Sequence, residues 1–411
     1  MGAMNNGDTA FVLVSAALVC LMTPGLAFFY GGLVRRKNVL TIMMQSFIAM
    51  GVVTVLWMFG GFSLAFGSDI GGVIGNPLDY FALNGVGMEP NPGYGPTIPF
   101  LVFFAYQAMF AVITPALITG AFADRVTFKA FLAFLVGWTL LVYIPFAHWI
   151  WGGGFLAKWG LVDFAGGVVV HVSAGIAALA SVIYVGRRKL KNGESTAPHN
   201  IAFVALGTGL LWFGWFGFNG GSALAANGIA ATAFVNTDIA GAVAMIAWLA
   251  ISWMREGKPT MVGALTGAVA GLATITPAAG YVRPWAAALI GLASAIVCYG
   301  AVQIRARRGW DDALDVWGVH GVGGILGTIL TGVFASAVVN GVSGAVEGNW
   351  RQLGVQCAGV LLTGAYSFGV TLGLLKIIDL FTPVRVSETV EEKGLDVELH
   401  GETAYDLDVA A

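Results

Sequence analysis

Along most of this chain, apolar residues run for 20 positions or more, and short polar or basic breaks separate the runs. A run of that length is what a helix needs to cross the hydrocarbon core of a bilayer. Eleven spans are predicted, at 10–33, 40–66, 99–122, 128–148, 164–186, 199–218, 230–255, 259–278, 285–304, 316–337 and 351–381. Helices must form them, because only a helix satisfies its backbone groups within its own segment. The alternating ten-residue pattern of a membrane barrel is missing. From about Thr382 the chain turns polar and acidic, with Glu388, Glu391, Glu392, Asp396, Glu398, Glu402, Asp406 and Asp408. The predicted organisation is therefore an all-α membrane domain over 1–381 and a tail over 382–411.

Composition agrees. The 411 residues are 57% hydrophobic and 10% charged, with a mean hydropathy of +0.81. A soluble chain of this length needs more charge to cover its surface. The 59 glycines suit helices packed backbone to backbone. A net charge of -2 offers nothing to a nucleic acid. Cys20, Cys298 and Cys357 all fall in apolar runs, so neither a disulfide framework nor a zinc site is expected. Met1 to Thr9 is polar without basic residues, and the run after it is long enough to span, so no cleavable signal is expected.

Basic residues orient the spans. With the N-terminus outside and the C-terminus inside, inner loops hold Arg35, Arg36, Lys37, Arg125, Lys129, Arg187, Arg188, Lys189, Lys191, Arg255, Lys258, Arg305, Arg307 and Arg308, joined by Lys376, Arg385 and Lys393. Only Lys158, Arg283 and Arg351 fall outside. An even number of spans would scatter the later basic loops. The outer loops carry Asp8, Asp69, Asp79, Glu89, Asp163, Asp238 and Glu347, a mildly anionic face that either attracts cations or is ordinary solvated loop.

The two halves look related. Phe29-Tyr30-Gly31-Gly32 resembles Phe218-Asn219-Gly220-Gly221, and Ile113-Thr114-Pro115-Ala116 matches Ile275-Thr276-Pro277-Ala278. Each match is offset by five spans. Five is odd, so two five-helix repeats would be inverted in the membrane, with an eleventh helix left over. Inverted repeats place a transport site near the midplane.

His171 and His320 lie in the fifth and tenth spans, again offset by five. An ionisable group inside a membrane is a functional-site hypothesis. Hydrogen bonding between helices is the plainer reading, and the paired setting weighs against it. Two imidazoles without a third ligand make a poor metal site. If the rings touch, one N–H can be shared between them. Asp163 reads either as the cap of the fifth span or as a cation-binding carboxylate, the cap being preferred; Asp315 reads as the cap of the tenth. Tyr106, Phe110, Trp151, Trp215 and Phe218 gather towards the outer side, with Gln107 and Ser222 beside them. An interfacial belt explains single aromatics, whereas aromatic faces beside a hydroxyl suit a small cation.

The motifs PGLAFFYGGLVRRKNVL (24–40), YQAMFAVITPALITGAFADR (106–125), HWIWGGG (148–154), DFAGGVVVHVSAG (163–175), WFGFNGGS (215–222), AFVNT (233–237), ITPAAGY (275–281), DVWGVHGVGGILGT (315–328) and GLDVELHGETAY (394–405) run along nearly the whole chain. In these the chain resembles ammonium transporters of the Amt/Mep/Rh family, on the bacterial or archaeal Amt branch. The resemblance implies recruitment of ammonium or methylammonium by Phe110, Trp151 and Ser222, and a gate of Phe110 and Phe218. It also implies a pore lined by His171 and His320, with Trp215, Tyr30 and Thr276 lining the vestibule or pore and Asp163 as the acid near the entrance. It further implies a homotrimer in the cell's inner (plasma) membrane and a cytoplasmic regulatory tail. A PII-type signalling protein would bind on the cytoplasmic side. No cofactor or catalytic residue is expected, and no enzyme motif stands in a credible context. Two other readings remain: an ammonium sensor signalling through the tail, and a neutral gas channel of the Rh type.

Overall fold

The computed structural model describes residues 4–190 and 194–405. Lys191, Asp406 and Asp408, named above, lie outside the described residues, as do the first three of the chain. Eleven apolar helices occupy the eleven predicted runs. Among the described residues, ten are long and apolar enough to cross a membrane: Asn6–Leu33, Arg36–Phe66, Phe100–Ile118, Phe128–Trp159, Gly167–Val185, Ile201–Ala223, Gly228–Glu256, Pro284–Arg308, Trp317–Phe334 and Trp350–Asp379. The eighth in chain order, Met261–Ile275, has 15 residues and hands over to turns at 276–281. Side chains cap the exposed first turns where the sequence supplies them. Asn5, Thr127, Asn200, Asn227, Thr260 and Asn349 each accept a backbone N–H two or three residues on.

The departures from prediction are local. The fourth run widens into a π-turn at Thr139–Tyr143, resumes over Ile144–Ile150, bends at 151–154 and ends in Phe155–Trp159. The fifth and tenth helices both start with a π-turn, Gly167–Val172 and Trp317–Gly321, and each π-turn holds one of the two histidines. Where every face of a helix is apolar, one extra residue per turn leaves no trace in the hydropathy pattern. Asp238 is not in a loop; it sits inside Gly228–Glu256 and accepts a hydrogen bond from Trp212 Nε1 at 3.2 Å.

Glycines set the closest packing. Between the first and sixth helices, a Cβ on Gly207 would lie 2.3 Å from the Phe29 amide nitrogen, and one on Gly25 would lie 2.9 Å from Leu210 Cβ. Between the fifth and tenth helices, a Cβ on Gly175 would lie 2.0 Å from the Gly321 nitrogen, and one on Gly324 would lie 2.8 Å from the Val172 nitrogen. Each of these two glycines follows its histidine by four positions and faces the residue after the other histidine. That reciprocity is what a two-fold relation between the halves requires.

One face of the bundle carries two small hairpins, Asp69–Ile70 with Ile74–Gly75 and Pro90–Asn91 with Gly95–Pro99. The start of the chain joins it through Asn5 N–H to Thr97 O, 2.8 Å. The other face carries the tail. Asp396 accepts from the Leu40 and Thr41 amides and the Thr41 hydroxyl, which anchors it at the start of the second helix. Leu395 N–H donates to Asn38, Lys37 to Glu392 O, and Lys189 N–H to Glu391. Beneath the tail, the fully buried Arg125 guanidinium donates to the carbonyls of Ala121, Gly186 and Asp311. Arg188 makes a forked pair with Asp311.

The expectation that Asp315 caps the tenth helix is corrected here. Asp312 takes that role, accepting from Trp317 N–H at 2.7 Å. Asp315 has a left-handed backbone, φ 58°, and its carboxylate turns to Arg305 at 2.5 Å. Burial pushes the Asp315 carboxyl up, and despite the Arg305 guanidinium it reaches about 7.

Backbone contact at Gly175 cannot give way, whereas Gly300 has open space around its Cβ position. Gly175→Ala should therefore destabilise the purified protein by about 1–3 kcal/mol, as overpacking does. Gly300→Ala should be neutral or slightly stabilising, for want of any clash in a helix interior. Thermal unfolding in detergent checks both.

Candidate functional site

The predicted site residues line up between the two faces. On the hairpin face a cavity of about 280 Å³ is lined by Gln107, Phe110, Trp151, Phe164 and Ser222, with Phe66 and Phe103 on its wall. Its floor is aromatic. The Phe110 and Phe218 rings lie 4.3 Å apart, tilted by 38°, and Trp151 meets Phe110 edge-on at 5.9 Å. Ser222 Oγ lies 2.9 Å from Phe218 O and 3.2 Å from Tyr106 Oη; the Tyr106 hydroxyl is itself 2.8 Å from Phe218 O. With hydroxyl protons directed to the carbonyl, the Ser222 oxygen keeps lone pairs for a donor in the cavity. Gln107 Oε1 is buried beside the same cavity and has no protein partner.

Beneath the two phenyl rings the lumen narrows. Phe218, Trp215, His171 and His320 line it, with Leu26 and Val269 closing the sides, and about 10 Å³ is open to the centre of a water-sized molecule. That is close to the minimum for a single water. His171 stacks at 5.6 Å on Trp215 and at 5.2 Å on His320. The two Nδ1 atoms are 3.2 Å apart. One proton between them satisfies both. The ring that donates it has a bare Nε2, and the ring that accepts it carries its own proton on Nε2. His171 Nε2 has no protein partner. Below His320 the path opens into a tail-face vestibule of about 240 Å³ that also reaches Tyr30, Arg305 and Asp315.

Two of the residues predicted along the vestibule or pore lie away from the constriction. Thr276 stands behind Trp215, accepting from its indole N–H at 3.0 Å and donating to Leu272 O at 2.8 Å; it does not face the lumen. Tyr30 lies in the vestibule, its hydroxyl donating to Leu117 O at 2.8 Å. Trp215, grouped with the outer aromatics by sequence, lies one layer deeper, against His171.

Asp163 is 5% exposed, and its carboxylate is fully committed. One oxygen accepts from the Gly166 and Gly167 amides at 2.8 and 2.6 Å, the other from Val168 and Val169 at 2.7 and 3.2 Å. These are the orphan donors at the start of the fifth helix. The Asp163 carbonyl also accepts from the Trp151 indole at 2.9 Å, so one residue fixes both the histidine-bearing helix and the cavity wall. Phe164 and Phe66 were not expected here; the first is adjacent to Asp163, while nothing in the local pattern marks the second.

The architecture is that of a multi-pass membrane protein whose helices enclose a narrow, mostly apolar lumen interrupted by two touching imidazoles. A family model described as the Ammonium Transporter Family matches residues 10–405. The chain is 47% identical over 408 residues to an ammonium transporter of Bacillus subtilis (strain 168), covering 98% of this chain and 99% of that one. Its fold matches the crystal structure of Saccharomyces cerevisiae Mep2 with a TM-score of 0.90 at 36% identity, covering 99% of this chain and 93% of that one. A structure named Sensor Amt Protein matches with a TM-score of 0.88 at 31% identity, covering 96% and 98%. The chain belongs to the ammonium transporter family.

Asp163→Ala leaves four buried amides without their acceptor. It should cost about 3 kcal/mol or more, given roughly 1–3 kcal/mol for each group left unsatisfied. Asp163→Asn, which keeps one acceptor oxygen, should lose less. Thermal unfolding of the two variants would give this order if Asp163 acts as a cap; equal losses would not fit it.

Proposed function

We propose that this protein carries ammonium across a cell membrane by stripping its proton at the aromatic floor and passing ammonia along the histidine pair. The observation that carries the reading is the lumen between Phe218 and His320: room for about one water-sized molecule, apolar walls, and imidazole nitrogens as its polar groups. Moving an intact cation into such a space costs several kcal/mol or more even after relaxation. A cation–π contact returns about 2 kcal/mol when desolvated. Potassium has no other way through. Ammonium can shed a proton, and neutral ammonia can then accept from one Nε2–H and donate to the bare Nε2 of the other ring.

The hairpin-face cavity is the recruitment site in this reading. Phe110 and Trp151 offer ring faces, while Ser222 Oγ and Gln107 Oε1 offer acceptors for the N–H groups of ammonium or methylammonium. Asp163 adds negative potential from below without binding the ion itself. Basic residues gather on the tail face, so that face is the inner one and the N-terminus lies outside, in the plasma membrane. The histidine pair also offers the proton a route through the constriction, which makes uptake electrogenic rather than a neutral gas flux. The family resemblance extends the proposal to a homotrimer with one path per subunit and to a PII-type partner docking on the tail face.

A sensor reading gains weight from the solved neighbour of that name and from the tail packed on loops beside the vestibule. Residues 382–411 are long enough to recruit a partner. A pure sensor would show little flux with or without its tail.

In proteoliposomes, wild-type protein should take up methylammonium. The double variant His171→Ala/His320→Ala should lose at least about tenfold in rate or lose selectivity against potassium, tenfold being roughly one hydrogen bond in the barrier. Uptake and selectivity both unchanged would remove the histidines from the mechanism.

A further inference from the structure

His148 takes no part in the pathway described above, and its surroundings are unusual. It lies in Ile144–Ile150, and its side chain is fully buried. Nδ1 is 2.9 Å from the Ala65 carbonyl oxygen, and Nε2 is 3.0 Å from Asp69 Oδ1. Both partners are acceptors. A carbonyl has no proton to give. The Asp69 carboxyl is held at about 2 by its hydrogen bonds from Lys158, at 2.5 Å, and from His148, so it is a carboxylate. A neutral imidazole has one donor and one acceptor nitrogen, which would set a lone pair against an oxygen in one of the two contacts. Only a ring with protons on both nitrogens satisfies both.

The position of this ring matters more than its charge. Ala65 precedes Phe66, and His148 precedes Trp151 by three; Phe66 and Trp151 both line the hairpin-face cavity. Phe66 ends its helix, where unpaired carbonyls favour a positive group. The chain after Trp151 passes so close that a Cβ on Gly152 would lie 2.0 Å from the Ala65 oxygen. His148 is therefore the side chain that ties the second span's end to the Trp151 bend. Among the described residues, Asp69 is the one charged side chain within ion-pair distance of it; Asp69 also accepts from Lys158 and, through the oxygen that faces His148, from the Gly72 amide at 2.7 Å.

We propose that a doubly protonated His148 is a positioning residue, clamping the Phe66 and Trp151 walls of the cavity together and so setting its affinity for the incoming cation. The proposal rests on the recruitment role given to that cavity. His148 touches no part of the lumen, so the clamp acts on capture and not on passage below Phe110 and Phe218.

Two measurements test it. In histidine-labelled protein at neutral pH, nitrogen NMR should show both His148 nitrogens protonated, its signals being assigned by their shift in Asp69→Asn. One protonated and one bare nitrogen would overturn the proposal. In uptake assays, His148→Gln should raise KM for methylammonium about tenfold while the maximal rate stays within about twofold, the pattern of lost ground-state binding. Asp69→Asn, which keeps the shape, should raise KM less. An unchanged KM in His148→Gln would also overturn it. Wild-type protein that takes up no methylammonium would instead sink the recruitment reading, and the NMR result would then decide the clamp alone.

Discussion

A desolvated cation is out of place in an apolar lumen, and the other features of the pathway depend on that. On the proposed mechanism the hairpin-face cavity can be roomy, because its work is to meet a hydrated ion with rings, a hydroxyl and a carbonyl. The constriction must be small and nearly dry, since a wider, wetter lumen would admit potassium together with ammonium. Two tilted phenyl rings in contact separate these regimes, and the imidazoles are the polar groups below them. Their shared proton leaves one donor and one acceptor facing the lumen, a pairing that suits a neutral amine better than any metal ion.

Holding two imidazoles 3.2 Å apart in this setting demands a rigid frame, and the fold supplies it twice. Asp163 and Asp312 each spend a buried carboxylate on the amides that open a histidine-bearing helix. Gly175 and Gly324 then let the two helices meet backbone to backbone just beyond the rings. Buried negative charge at a helix start is stabilised by the amide dipoles, so the frame needs no counter-ion in the lumen. The tail is built on the same rule, with Asp396 at the start of the second helix.

Much of this was legible in the residue pattern, because a bilayer imposes a length and a polarity on each span. The eleven helices fall where the apolar runs are, and the histidines, Phe110, Trp151, Phe218 and Ser222 meet along one path. Four things were not legible. The π-turns around His171 and His320 change backbone winding without changing the apolar pattern. Asp312 and Asp315 are close neighbours at the start of one helix, and which of them caps it depends on the left-handed turn at Asp315. The family resemblance places Thr276 along the path; only the packing shows it turned behind Trp215. His148 heads the HWIWGGG motif, but its role was not readable, since its partners, Ala65 and Asp69, lie about 80 positions away.

The most direct test of the proposed separation of ammonium into ammonia and a proton is the current through purified protein in a planar membrane, with ammonium or equimolar potassium on the hairpin-face side at fixed pH. Ammonium should evoke a current and potassium none. A potassium current of comparable size would contradict deprotonation at the aromatic floor, and ammonium flux without current would contradict the passage of the proton.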